Sequence, residues 1–307
     1  MLDICLLGTG GMMPLPYRYL TSMMARYNGA SVLIDCGEGT QMAIRKKGWS
    51  MNPIELILIT HFHGDHISGI GGLLLSMGNA ERKEPVTIVG PKGLERVVRS
   101  LLIIAPDLPF ELHFKELEDD VETFEACGMK ITAFRVRHNV ICYGYRLDVS
   151  RAGRFHPELA RENDVPMKFW SRLQKGETIE EDGRVFTPDL VLGEARKGLS
   201  VTYCTDTRPV QRIVEMAAGV DLFICEGMYG GHENDAKARE KKHMTFLEAA
   251  ELAKEAQPKQ MWLTHYSPSI AKPDPYLDET RAVFPETHLG RDGKELDLLF
   301  EEEEEES

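Results

Sequence analysis

An apolar run, Ile54-Glu55-Leu56-Ile57-Leu58-Ile59, leads into Thr60-His61-Phe62-His63-Gly64-Asp65-His66, so four potential metal ligands fall within six residues. The run reads as a buried strand. His61 and His63 stand two apart, and an extended backbone points both side chains the same way. Gly64 permits a sharp bend, which turns Asp65 and His66 back towards the same space. A chain carrying this stretch must therefore deliver the end of a buried strand to a metal site. Imidazoles and a carboxylate without thiolate suit zinc first, then iron or manganese. The plain alternative is a polar loop that happens to be rich in histidine. It leaves unexplained the strand before the cluster and the helix-like run after it.

The chain has 307 residues, enough for one large domain or two small ones. No apolar run approaches a membrane span, so no membrane partner is expected. Met1-Leu2-Asp3-Ile4 has no basic region of the secretory kind. Cys5, Cys36, Cys127, Cys142, Cys204 and Cys225 form no C-x-x-C pair and mostly sit in strand-like runs. They read as free buried thiols in a reducing compartment, and a cytoplasmic location is expected. The net charge of −13 argues against a generic nucleic-acid binder. Six of the acidic residues are the run Glu301 to Glu306, which reads as a solvated, disordered tail over residues 301–307. Without that run 36 basic residues face 43 acidic ones. A polyanionic substrate then needs a local basic patch and metal ions to receive it.

Strand and helix patterns alternate along the chain. Residues 2–7 read as a strand closed by Gly8-Thr9-Gly10-Gly11, a weak phosphate-loop signal with no Lys-Ser/Thr after it. Residues 21–27 and 31–34 read as a hairpin turned by Asn28-Gly29. Asp35 follows at a strand end, a place that favours orienting the ligand loop through hydrogen bonds over binding metal directly. A helix then runs to about Lys47. Helices are expected over 67–77 and 94–105, and strands over 86–89, 110–114, 122–126, 130–136 and 143–149. His113 lies inside one of these strands without polar company and reads as structural. Residues 150–197 break the pattern: from Arg151 to Gly176 there are six Lys or Arg against three Asp or Glu. Strands over 199–204, 221–225 and 260–264 and helices over 210–218 and 245–256 complete the reading. Asp65, Asp206, Glu226 and His265 then all stand at C-terminal ends of strands, where layered α/β folds build their sites.

His138, Asp206 and His265 each close an apolar strand. With His61, His63, Asp65 and His66 they make seven ligands, enough for two metal ions about 3.5–4 Å apart. With these residues in place the sequence resembles the metallo-β-lactamase superfamily over nearly its whole length. Within the superfamily it resembles the ribonuclease Z family, endonucleases that trim tRNA 3′ ends. The pieces that carry the likeness are Leu6-Leu7-Gly8-Thr9-Gly10, Asp35-Cys36-Gly37-Glu38-Gly39-Thr40-Gln41 and His138-Asn139-Val140 with Gly144-Tyr145-Arg146. His243-Met244-Thr245 and Leu263-Thr264-His265-Tyr266-Ser267 complete them. Histidine at position 63, where glutamate would mark a diiron branch, points to a hydrolase. Asp206 and His265 are 59 positions apart, too close for the branch with a large domain between the last two metal motifs. The sequence departs from the family in three places. Pro14-Leu15-Pro16-Tyr17-Arg18-Tyr19 lacks the family's Asn after Arg. Pro166-Met167-Lys168-Phe169-Trp170 replaces a Gly-Pro pair. Cys225-Glu226-Gly227-Met228 keeps only the Glu of His-Glu-Ala-Thr.

The resemblance implies an α/β fold (α+β in some schemes): a four-layer αβ/βα sandwich over residues 1–300, with 150–197 inserted as a mobile substrate-binding arm. It implies two zinc ions, or manganese or iron in their place. His61, His63 and His138 would hold one ion, Asp65, His66 and His265 the other, and Asp206 would bridge. Asp65 would act as base, and His243, steadied by Glu226, would donate a proton to the leaving oxygen. The implied substrate is precursor tRNA, gripped through the arm, and the implied assembly is a homodimer. Two other readings compete: a hydrolase of a small cyclic nucleotide, lactone or thioester on the same fold, and a metal-stabilised binding protein without turnover. The complete ligand set argues against the last. The basic segment after Ser150 separates the first two, because a small substrate needs no long arm.

Overall fold

The computed structural model describes residues 1–105 and 107–301. The acidic run read as a disordered tail lies outside the described residues from position 302 onward. The first six strands are β1 (Leu2–Gly8), β2 (Ser22–Tyr27), β3 (Ala30–Ile34), β4 (Ile54–Leu58), β5 (Val86–Pro91) and β6 (Leu112–Leu117). They share one sheet. A second sheet starts with β7 (Val121–Ala126), β8 (Met129–Arg135) and β9 (Tyr143–Arg151). A separate hairpin follows, β10 (Ile179–Glu181) and β11 (Arg184–Phe186). The second sheet resumes with β12 (Arg196–Cys204), β13 (Leu222–Glu226), β14 (Met261–Thr264) and β15 (Thr287–Leu289). The last strand, β16 (Glu295–Leu298), returns to the first sheet beside β1. Among the described residues each large sheet has seven strands.

The period of two along each strand builds the layers. Cys5, Leu7, Met24, Leu33, Ile57 and Ile88 pack in one core with side chains of the helices Thr40–Lys47, Ile70–Asn79 and Leu94–Leu101. Their alternates Ile4, Leu6, Met23, Val32 and Ile34 face the other way and are equally buried. In the second sheet Phe223, Cys225 and Leu263 pack with the helices Gln211–Ala217, Phe246–Ala256 and Leu277–Val283. The alternates Leu222, Ile224 and Trp262 are buried on the opposite face. With helices on one face of each sheet and both faces buried, the two remaining faces cover each other, giving the αβ/βα sandwich. Tyr145 ties the sheets directly, its hydroxyl donating to the Ile59 carbonyl at 2.7 Å.

β3 to β6 run parallel, and so do β12 to β15. Their C-terminal ends therefore gather on common edges, which is where the polar strand-end residues stand. Asp35, Asp206 and His265 occupy these ends in the left-handed backbone region, with φ of 58°, 52° and 57°. Asp and His are both among the residue types that enter that region more readily than most.

The structure revises several expected elements. The helix expected over 67–77 is two, Gly64–Ile67 and Ile70–Asn79. Gly69 breaks it because it presses on the Asp35-Cys36-Gly37 turn, where a Cβ would stand 2.1 Å from the Gly37 carbonyl oxygen. The helix from Leu94 stops at Leu101 rather than at 105. The strand expected over 110–114 is β6, shifted to Leu112–Leu117. His113 is exposed there and has polar company after all, 3.2 Å from Glu111. The helix Leu277–Val283 and the short strands β15 and β16 were not expected.

The chain divides into two compact units, Met1–Asp148 with Ser200–Leu299, and Val149–Leu199 with Phe300 and Glu301. The second unit has a core of its own. Ala160, Val165, Phe169, Leu173, Ile179, Phe186 and Val191 are buried together, from the helices Pro157–Glu162 and Met167–Gln174, the β10–β11 hairpin and the turns beside them. Phe169 lies against Phe186 with ring centroids 5.1 Å apart, and the indole N–H of Trp170 donates to the Val165 carbonyl at 3.0 Å. Both aromatic rings thus serve this core.

A candidate metal centre at the strand ends

Asp206 stands at the middle of the cluster, and its two carboxylate oxygens face different partners. Oδ2 lies 3.6 Å from Nε2 of His61 and 3.6 Å from Nε2 of His138. Oδ1 lies 3.0 Å from Nε2 of His66 and 3.0 Å from Nε2 of His265. Nδ1 of His63 sits 3.4 Å from Nε2 of His138. Oδ2 of Asp65 sits 3.3 Å from Nε2 of His265 and 3.7 Å from Nε2 of His66. The cluster thus holds two ligand groups that meet at Asp206, namely His61, His63 and His138 with Asp206, and Asp65, His66 and His265, with a third set, Asp206, His243 and His265, overlapping them.

The groups behind the rings fix which nitrogen faces the centre. Asp35 Oδ2 is 2.7 Å from Nδ1 of His66, and its other oxygen accepts from the Thr60 amide at 2.8 Å. The Thr60 hydroxyl lies 3.0 Å from Nδ1 of His61. The Lys242 carbonyl is 3.0 Å from Nδ1 of His138. With Nδ1 engaged, Nε2 of these three rings is left to face the centre, the arrangement that orients metal-binding imidazoles, while His63 turns Nδ1 towards it.

The charges are strongly coupled. Burial depresses His61, and the neighbouring positive charge of His66 adds to it. Burial also lowers His63 and His138. Burial works against a proton on His66 and His265 too, but the Asp206 carboxylate overcomes it, helped by Asp35 beside His66 and by Asp65 beside His265. Both are raised, His265 to about 10. Asp206 and Asp65 are held well below the usual carboxylate range despite their burial, by the imidazoles around them. Positive charge on the His66–His265 pair, whose Nε2 atoms stand 3.1 Å apart, thus does for these carboxylates what a bound cation would do.

The residues present fit a metal. Nε2 of His61 is buried without a hydrogen-bond partner, an expensive state for a polar atom unless an ion completes it. The donors are all imidazole nitrogen or carboxylate oxygen, a set suited to zinc, manganese or iron. Cys142 Sγ is 3.7 Å from Nδ1 of His61 but lies behind the ring.

Beside the cluster, Glu226 Oε2 accepts from Nδ1 of His243 at 3.1 Å and from the Met244 amide at 3.2 Å. Its Oε1 accepts from the Thr207 amide at 2.5 Å. The His243 ring stacks on His265 with centroids 5.6 Å apart, and its Nδ1 is 3.9 Å from Asp206 Oδ2. The helix Phe246–Ala256 starts two residues beyond Met244 with a full capping box between Thr245 and Glu248, a motif whose Ser/Thr cap contributes about 1 kcal/mol.

Full-length comparison gives the family. A protein of Lachnoclostridium phytofermentans named Ribonuclease Z is 62% identical over 304 residues, covering 99% of this chain and all of that protein. The chain belongs to the ribonuclease Z family. A Ribonuclease Z of Lachnospira eligens is 58% identical over 303 residues, again covering 99% of this chain and all of the relative. A family model described as Anti-Pycsar protein Apyc1 matches residues 2–149, and one described as Beta-lactamase superfamily domain matches 186–266. The crystal structure of human tRNase Z, short form, shares the fold at a TM-score of 0.70 and 23% identity, over 97% of this chain and 100% of that one.

In this member of the ribonuclease Z family the structure brings all seven expected ligands together, with His243 and Glu226 beside them. Three participants escaped the sequence reading. The Met12 amide donates to Asp65 Oδ2 at 2.6 Å. The glycine before it allows this close approach, since a Cβ on Gly11 would stand 2.7 Å from Cε1 of His265. The Thr60 hydroxyl touches Asp35 as well as His61. Asp292, far along the chain, accepts from the Thr9 amide at 3.0 Å and the Tyr19 amide at 2.6 Å, so it clamps both ends of the loop that carries Met12. Nothing in the sequence marked Asp292.

Proposed function

We propose that this chain is an endoribonuclease that removes the 3′ trailer from precursor tRNA, using two divalent metal ions held by the seven clustered residues. Kinship to proteins named Ribonuclease Z over the full length supports the substrate class, and the observation that carries the mechanism is the division of ligands across the two oxygens of Asp206. His61, His63 and His138 would hold one ion, Asp65, His66 and His265 the other, with Asp206 between them. Zinc is the metal we favour. Bound there, divalent cations supply Lewis-acid chemistry: they polarise phosphoryl oxygens and acidify water.

The chain's own residues do the rest. Asp65, oriented by the Met12 amide, accepts a proton from the attacking water. His243 gives a proton to the departing 3′-oxygen; Glu226 holds its Nδ1, so Nε2 is the ring atom left to serve the substrate. We assign the unit around residues 150–197 as the tRNA-binding arm, and a homodimer in the cytoplasm as the working form. Among the described residues no helix is long and apolar enough to cross a membrane. Incubation with precursor tRNA tests the reading: a mature 3′ end should appear and should be lost with chelator. A protein that cleaves bis(p-nitrophenyl) phosphate but leaves precursor tRNA intact would overturn it.

Two results follow for the metals. Elemental analysis should find two ions per chain, and His138→Ala or Asp206→Ala should lower that number; a single ion in the intact protein would sink the two-metal reading. Metal uptake should also release protons, because the His66–His265 pair, its Nε2 atoms 3.1 Å apart and both facing Asp206, is raised above the ordinary imidazole range and shares proton charge at neutral pH. Affinity should therefore rise with pH, by about tenfold per pH unit for each proton displaced, up to the pKa of His265. Calorimetry in buffers of different ionisation enthalpy measures this, and an affinity that stays flat between about pH 6 and pH 8 would contradict it.

A further inference from the structure

Arg208 lies two residues beyond Asp206 and carries none of the roles assigned above. Its side chain is nearly buried, at 13% exposure. One guanidinium nitrogen donates to the His243 carbonyl and, at 2.9 Å, to Glu248 Oε2; the other donates to Glu248 Oε1. Its backbone amide donates to the Arg137 carbonyl at 2.9 Å, immediately before His138. Glu248 Oε2 accepts in turn from the Thr245 amide at 3.0 Å. One residue thus joins the turn after β12, the turn after β8 and the segment before the helix Phe246–Ala256.

That segment is pinned residue by residue. The Lys242 carbonyl takes Nδ1 of His138, the His243 carbonyl takes Arg208, and the Met244 carbonyl takes the Tyr229 amide. Lys242 turns the chain in the left-handed region, with φ of 62°. Glu226 orients the His243 ring and joins the Thr207 amide to the Met244 amide, and Arg208 adds a side-chain tie from the Asp206 turn to the His243 carbonyl itself. A fork-shaped guanidinium can hold a carboxylate with both nitrogens and still reach a carbonyl, which an ammonium cannot.

We propose that Arg208 is the positioning residue for His243, setting where that ring stands when it protonates the leaving oxygen; this rests on the ribonuclease reading above. In the step, water oxygen bonds to phosphorus while the P–O3′ bond breaks. The water's proton goes to Asp65, and O3′ leaves with a proton from His243. A misplaced His243 harms only the last of these. A leaving group that needs no proton should therefore be indifferent to Arg208, whereas a merely structural loss would fall on every substrate alike.

The test compares two precursor tRNAs that differ in one atom, the natural phosphodiester and a 3′-bridging phosphorothiolate at the cleavage site, whose thiolate leaves unprotonated. In the metal-loaded protein, kcat of Arg208→Lys on the oxygen substrate should fall about 10²-fold, the scale of a lost general acid. On the sulfur substrate the loss should shrink to within about threefold. The double variant Arg208→Lys/His243→Ala should be no slower than His243→Ala alone, since the two act as one unit. Glu248→Gln, which weakens the same fork, should show a smaller loss of the same pattern, and it carries the comparison if Arg208→Lys does not fold. Equal losses on both substrates, or losses that multiply in the double variant, would overturn the proposal while leaving the ribonuclease reading intact. Failure of the wild-type protein to cleave the oxygen substrate would remove both.

Discussion

In Asp65→Ala, phosphodiester hydrolysis should fall by roughly 10⁴-fold or more, because the change removes a general base and one of the three side chains that would hold the second ion, while the protein stays folded. The carboxylate stands where the Met12 amide, the His265 ring and the His66 ring converge, at 2.6, 3.3 and 3.7 Å. No neighbouring group can replace it, because the Asp206 oxygens are already shared among four imidazoles. Its structural contribution is smaller. The variant leaves one amide without its acceptor, a cost of about 1–3 kcal/mol. The two helix–sheet cores do not include residue 65. Steady-state rates on precursor tRNA and on bis(p-nitrophenyl) phosphate, beside thermal melts and metal content, check each part. Activity within about tenfold of wild type would reject Asp65 as the base. An unfolded variant would show that the cluster holds the sandwich together.

What could be read from the sequence, and what could not, follows from how each residue acts. His61 and His63 were legible because residues two apart on an extended backbone point the same way. The bend expected at Gly64 is instead the first residue of the helix Gly64–Ile67, where nothing crowds a Cβ, and it is that helical turn which brings Asp65 and His66 round. Asp206, Glu226 and His265 were legible because each ends a short apolar run in a chain that alternates strand and helix. Met12 was not, because it acts through its backbone amide and any residue carries one. Arg208 was not, since an arginine in a charged segment reads as solvent-facing until its acceptors are placed. Asp292 acts across 283 positions of sequence on Thr9, a separation that no local pattern reports. β15 and β16 have three and four residues, too few for a period to show. The ring of Phe169, read from sequence as a possible nucleotide stacker or a packing residue, is buried against Phe186, because a segment of about fifty residues needs a core before it can hold any surface in place.

Removing the second unit should separate two activities that the intact protein performs together. A tRNA is far larger than a metal cleft, so its affinity must come from surface outside the site. Phosphate contacts supply most of such affinity and make it fall with salt. The cations read from the sequence are Arg151, Arg154, Arg161, Lys168, Arg172 and Lys175. Lys168 is bonded to Glu181 and Arg172 to Glu177, at 2.7 and 2.8 Å. These are exposed pairs, which contribute little to stability and can be exchanged for phosphate. Arg161 and Lys175 are exposed as well. The unit closes on itself at a narrow neck. The Gly193 amide donates to the Arg154 carbonyl at 2.9 Å, and a Cβ on Gly153 would meet the Gly193 carbonyl oxygen at 2.0 Å. Deleting residues 154–192 and joining Gly153 to Gly193 therefore closes a gap that the backbone already spans, and it removes the buried set from Ala160 to Val191 whole rather than leaving half of it exposed. Cleavage of precursor tRNA should drop by about 10²-fold or more, chiefly through KM, with a shallower salt dependence. Hydrolysis of bis(p-nitrophenyl) phosphate should stay within about threefold, because all seven clustered residues, His243 and Glu226 belong to the other unit. If both activities fall together, residues 154–192 are needed to build the site. If tRNA cleavage survives, the affinity lies elsewhere on the body and the arm assignment fails.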